Sequence, residues 1–139
     1  MSATAASLFG YIGWTLALLL VMELMRVGLV LGGKRRPDSF KPDGSDGSPF
    51  AQRLARAHAN CLEGFPIFGG LMLLALATNL STITDPLAPW LLAARVLQSC
   101  VHLASVSAMA INVRFALFAV QLGIAVAWCL GFLRALTFE

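Results

Sequence analysis

Charge is scarce in this sequence. Only 10 Lys and Arg and 7 Asp and Glu occur in 139 residues, against 58% hydrophobic residues. A soluble domain covers itself with roughly a quarter charged side chains, so a soluble globular domain is excluded. Histidine occurs twice, as His58 and His102. With so few imidazoles, neither a metal site nor a haem site is expected. The cysteines are Cys61, Cys100 and Cys129, an odd number, all within apolar runs and without a CxxC pair. That excludes a disulfide framework and leaves them as small hydrophobes. Tyrosine occurs once, as Tyr11. No basic side chain precedes the first apolar run, which is also longer than the ~7–15 residues of a signal-peptide core. That run is therefore expected to stay in the protein as a helix.

What is present is long apolar sequence, with a mean hydropathy of +0.79. Crossing a bilayer takes about 20 apolar residues in a helix. Four runs qualify: residues 8–31, 65–80 with a helical approach from Arg53, 89–110 and 115–138. None alternates polar and apolar as barrel strands do. The expected fold is all-α, a single four-helix transmembrane domain over residues 1–139. The formal charge of +3 lies mostly in connections, which fits a membrane surface and not a nucleic acid.

The first connection is long and polar, with Lys34, Arg35, Arg36 and Lys41 crowded just after the first helix. The second, residues 81–89, holds Asp85 and no Lys or Arg, and the third lies near residues 107–114. Positive charge marks the inner side of a membrane. Both termini are therefore expected outside, with the first and third connections inside. Gly28 and Gly32 form a GxxxG that suits a close helix contact.

Ionisable and amide groups in a spanning helix are costly and face a protein interior or a cavity. In the second helix Arg53, Arg56, Asn60 and Glu63 recur at spacings of 3, 4 and 3, which places them on one face. In the third, Arg95, Gln98, His102 and Ser105 repeat that spacing. A rise of ~1.5 Å per residue puts Asn60 and His102 at about the same depth. Glu63 and Arg95 differ by about 5 Å, so a Glu63–Arg95 ion pair is expected to neutralise both. Arg53, Arg56 and Arg114 outnumber the carboxylates near them. They suit either lipid headgroups or a pocket for an anion, which a planar guanidinium holds bidentately. Glu23 and Arg26, spaced i, i+3, can pair locally.

The segment from Arg53 to Phe68, with Arg56, Asn60, Glu63 and Pro66 at its signature positions, strongly resembles the MAPEG family, the membrane-associated proteins in eicosanoid and glutathione metabolism. Ala94–Arg95 and Arg114–Phe115 also look like that family. The resemblance implies a four-helix protomer assembled as a trimer, with glutathione as co-substrate in a cleft between protomers. It implies that Arg53 or Arg56, with Asn60 and Glu63, bind the tripeptide, and that Arg114 stabilises the thiolate. Arg35 is a weaker carry-over, and His102 joins the binding set by its level with Asn60. Where members often carry tyrosines on the third helix, Gln98 and His102 stand here, while Tyr11 falls toward the opposite face. The compact loops suit a bacterial inner membrane.

The function so implied is a membrane glutathione transferase or peroxidase, acting on lipophilic electrophiles or lipid hydroperoxides. Lipid and a lipophilic small molecule are the expected partners. One alternative is a non-catalytic relative that binds lipid or glutathione. Another is a small four-helix proton-coupled exporter with Glu23 as proton carrier.

Overall fold

A computed structural model describes residues 1–138. The chain runs through α1 (Ala3–Leu31), α2 (Pro49–Ala77), the short α3 (Ser81–Thr84), α4 (Ala88–Ala104) and α5 (Ala108–Thr137). Each of three long helices starts on a serine whose hydroxyl takes one of the orphan amides of the first turn. Ser2 accepts from Ala5 N at 3.1 Å, Ser48 from Ala51 N at 3.2 Å and Ser107 from Ala110 N at 3.2 Å. Pro49 opens α2, where a missing N–H costs nothing. Past the end of α1 the chain turns through Gly33 in the left-handed region, φ +69°. Lys34 N then reaches back to Leu29 O at 3.0 Å, closing the helix.

Three helices, α1, α2 and α5, are long and apolar enough to cross a membrane. α4 has 17 residues, about 25 Å at the α-helical rise, and it carries the stripe Arg95, Gln98 and His102. It packs against α1, α2 and α5, so its polar face is covered by protein. The outward faces are apolar: Phe9, Leu24, Trp90 and Phe115 are all more than two-thirds exposed. In water such a surface would drive aggregation; in lipid it is the solvated surface. The largest wholly buried side chains include Trp128, Arg95, Tyr11, Phe68 and Met72.

Two expected boundaries move. The third apolar run ends at Ala104, because Ser105 turns extended at φ −160°, ψ 155°. The next helix starts at Ala108 on the Ser107 cap. The connection is thus residues 105–107, Ser105 leaves the helical stripe, and Arg114 lies almost two turns inside α5. Within the chain the GxxxG makes no close helix contact at Gly28, where a side chain would meet nothing within 4 Å, and Gly32 is the C-cap of α1.

The α3–α4 turn is tied to the start of α1. Asp85 accepts from Thr4 N at 2.8 Å and from Thr4 Oγ1 at 2.6 Å, and Thr4 Oγ1 meets Thr84 Oγ1 at 2.7 Å. These bonds, and the amide end of α1, favour the carboxylate and hold Asp85 below the ordinary aspartate range. A depressed folded pKa contributes stability that is complete above the unfolded value and lost as pH falls through the folded one. Asp85→Asn is therefore expected to lower Tm at neutral pH, with the gap to wild type closing as pH drops below the ordinary aspartate range. Thermal unfolding in detergent across that range checks it; a gap independent of pH would show that the carboxylate charge plays no part.

Candidate functional site

Four polar side chains from three helices form one chain of contacts. Arg95, from the middle of α4, donates Nη1 to Asn60 Oδ1 at 2.7 Å and makes a longer contact with Asn60 O at 3.4 Å. Asn60 Nδ2 faces His102 Nε2 at 3.2 Å. Arg114 Nη1 lies 2.7 Å from His102 Nδ1 and 3.4 Å from Nε2, closest to the nitrogen that Asn60 leaves free. The α4–α5 hairpin makes that last contact. His102 is two residues before the end of α4 and Arg114 six residues into α5, so the arginine stem reaches back about one turn.

Arg95 is fully buried. Its guanidinium carbon lies 5.5 Å from the Phe68 ring centroid and 5.7 Å from that of Tyr11, so two ring faces supply part of the lost hydration. Gly64 makes room for it: a side chain there would come within 2.8 Å of Arg95 Nη2. Arg95 Nε and Nη2, and Arg114 Nε, are buried without a hydrogen-bond partner among the described residues.

Donors outnumber acceptors in this chain. Arginine can only donate, so Asn60 must turn Oδ1 to Arg95 and Nδ2 to His102. His102 is then approached by a donor on each ring nitrogen. A neutral imidazole has one nitrogen that accepts and one that carries hydrogen. Asn60 and Arg114 cannot both be satisfied by it, and the cluster is short of an acceptor beside Arg114.

Next to it lies a cavity of about 430 Å³. Asn60, Glu63, His102 and Arg114 form its polar end, and Phe68, Ile111, Phe115, Phe118 and Leu122 are among its apolar walls. Gln98 lines it too, with Gln121 Nε2 of α5 donating to Gln98 Oε1 at 2.8 Å.

A family model, that of the MAPEG family, matches residues 4–134. The chain belongs to the MAPEG family. No curated protein and no solved structure gives a match.

In this MAPEG protein the structure brings Asn60, Glu63, His102 and Arg114 to one cavity and leaves the other sequence candidates outside its walls. Arg53 Nε donates to Leu103 O in the last turn of α4 at 2.8 Å, a helix-end contact that favours a cation. Arg56 is exposed. Arg35 is held within the first connection by the Asp46 carboxylate and by Ser39 O at 2.6 Å, with Phe40 stacked 4.3 Å from its guanidinium carbon. Glu23 pairs with Arg26 at 2.9 Å on a part-exposed face of α1 and does not line this cavity.

The Glu63–Arg95 ion pair is not formed. Among the described residues, the side-chain acceptor of Arg95 is Asn60, and Glu63 is exposed at the cavity. Glu63 and Arg95 lie at heights within reach of each other but not on facing sides of their helices. Asn60 is farther from Arg95 in level than Glu63 is, about 10 Å against about 5 Å, yet the long Arg95 side chain reaches along the helix to it.

Tyr11 is wholly buried beside Arg95 and donates its hydroxyl to Cys61 O at 2.8 Å. Gln121 is a residue the sequence stripes did not reach. Its signal was available, since it is the one polar side chain in the apolar stretch between Arg114 and Arg134.

Proposed function

We propose that this protein is a glutathione transferase or peroxidase of the MAPEG family, working on lipophilic electrophiles or lipid hydroperoxides. One observation carries the reading: the Arg95–Asn60–His102–Arg114 chain lacks an acceptor where it meets an apolar-walled cavity. A thiolate or carboxylate placed there accepts from His102 Nδ1–H and from Arg114, and releases Asn60 to keep His102 Nε2. A free thiol ionises near ~8.5, and adjacent cations bring that value toward neutrality.

In the transferase reaction the thiolate sulfur attacks an electrophilic carbon. The S–C bond forms and the leaving group departs with its electron pair. In the peroxidase reaction the thiolate attacks the outer peroxide oxygen, the alkoxide leaves and takes a proton, and a second glutathione converts the sulfenic acid to disulfide and water. The apolar walls suit the lipid-soluble partner, and the cavity volume falls in the ordinary range for small-molecule sites.

The reading includes a trimer in a bacterial inner membrane, with α4 as a fourth crossing and both termini outside. Arg56 and Arg35, free of this protomer's cavity, would then complete a cleft shared with a neighbour. Support for the orientation is the basic first connection against the uncharged N-terminal tail; labelling of a cysteine at Ser45 from outside intact cells would reverse it.

A second reading, a relative that binds glutathione or lipid without turnover, has one observation in its favour. The single tyrosine hydroxyl is committed to Cys61 O, so no phenol lines the cavity. A glutathione-titrated ultraviolet difference spectrum on the purified protein separates the two. A saturable thiolate band with turnover of a lipophilic electrophile is the expected result. Saturable binding without the band selects the second reading, and no binding removes both.

A further inference from the structure

A second cavity, of about 590 Å³, lies between the C-terminal part of α1, the first connection and the start of α2. It shares no lining residue with the first. One part of it is apolar, formed by Met22, Met25, Leu29 and Leu54. The other is cationic, with Arg26, Lys34, Arg35 and Lys41 against a single carboxylate, Asp46. The charges do not cancel internally. Arg35 is taken by Asp46, and Arg26 by Glu23. Asp43 accepts from the Ser45 amide at 3.0 Å and feels the Lys41 charge through space without forming an ion pair with it. Lys34 and Lys41 remain without an ion pair among the described residues.

The connection is folded down as a formed wall. Phe40 is inserted between two guanidiniums, 4.3 Å from that of Arg35 and 5.8 Å from that of Arg26. The Lys41 amide points at the Asp46 carboxylate, and Gly44 N donates to Lys41 O at 3.1 Å. Lys34 and Lys41, both exposed, thus line the same cavity as the apolar slot of Met22, Met25, Leu29 and Leu54, at the end of a membrane helix. Gly28 opens onto that slot with no atom within 4 Å of where a side chain would start.

We propose that this cavity binds one anionic phospholipid of the surrounding bilayer, its phosphate on Lys34 and Lys41 and its acyl chain along Met22, Met25, Leu29 and Leu54. A free anion would use the ammoniums and leave the slot empty; a neutral lipid would fill the slot and leave the ammoniums unpaired. An anionic phospholipid satisfies both. Arg35 also lines this cavity, but Lys34 and Lys41, which would hold the phosphate, have no part in the glutathione reading.

The test is made without glutathione. Purified protein in mild detergent receives equal amounts of phosphatidylglycerol and phosphatidylcholine with the same acyl chains, and native mass spectrometry counts the lipid retained. Lysines near a lipid surface each contribute enough that the pair is expected to give about a thirtyfold preference for phosphatidylglycerol. The double variant Lys34→Gln/Lys41→Gln should bring that preference close to parity. Gly28→Leu fills the slot from open space, without touching charge or backbone, and should reduce retention of phosphatidylglycerol. Inorganic phosphate should not displace the lipid. An unchanged preference in the lysine variant, wild-type retention in Gly28→Leu, or full displacement by phosphate would each overturn the assignment. Should the lysine variant fail to fold, the Gly28→Leu arm still decides.

Discussion

Arg114→Ala is expected to lower glutathione turnover by about a hundredfold or more, the usual loss when one preorganised donor is removed from a developing or bound anion. The effect on glutathione binding should be smaller. Arg114 sits where the polar chain runs out of acceptors, with Nη1 against His102 Nδ1 and Nε buried and unpartnered. An anion placed there gains a full positive charge at contact distance. Losing it should return the bound thiol toward the ~8.5 of a free one. Arg114→Lys should restore part of the effect, because one ammonium supplies charge without the planar fork. The rival role is a lipid-headgroup anchor, which leaves thiolate formation alone. Bound thiolate absorbance against pH for wild type and both variants decides; coincident titration curves would remove Arg114 from the mechanism.

Asn60→Leu is expected to destabilise the protein by about 3 kcal/mol, the cost of stranding a buried charge. Asn60 Oδ1, at 2.7 Å, is the side-chain acceptor of a guanidinium with no exposed surface. Leucine keeps most of the volume and removes that acceptor. Asn60→Asp keeps an acceptor for Arg95 and should retain most of the stability, which separates lost bonding from lost packing. Glu63→Gln should move stability by less than about 0.5 kcal/mol, as for an exposed polar substitution. That order reverses if Glu63 carries the charge of Arg95. Equilibrium unfolding in detergent without glutathione distinguishes them: a large loss in Glu63→Gln beside a small one in Asn60→Leu would restore the ion pair.

The membrane character was legible because it is one-dimensional. Spanning length and scarcity of charge are counted along the chain, and α1, α2 and α5 follow from that count. The stripes of α2 and α4 were legible for a similar reason: helical periodicity fixes which residues share a face. Depth was also legible, since rise per residue is constant, and Asn60 and His102 do meet at 3.2 Å. The end of α4 was less so. Hydropathy runs on through residues 105–107, and only the Ser107 cap and the extended Ser105 break it.

The sequence by itself determined the family, the all-helical membrane class and the polar residues that lipid cannot accommodate. Each is a property of composition, of local period or of a short signature. The tertiary structure decided which of those polar residues meet. Arg95 could have reached Glu63 by height, yet it turns to Asn60, because the azimuth of α4 against α2, set by packing around Gly64, Phe68 and Tyr11, points it there. Arg114 joins His102 because a three-residue connection folds α5 back on α4, and Arg35 is held away from that site by Asp46. Periodicity orients a residue on its own helix, but only the rotation of one helix against another decides its partner.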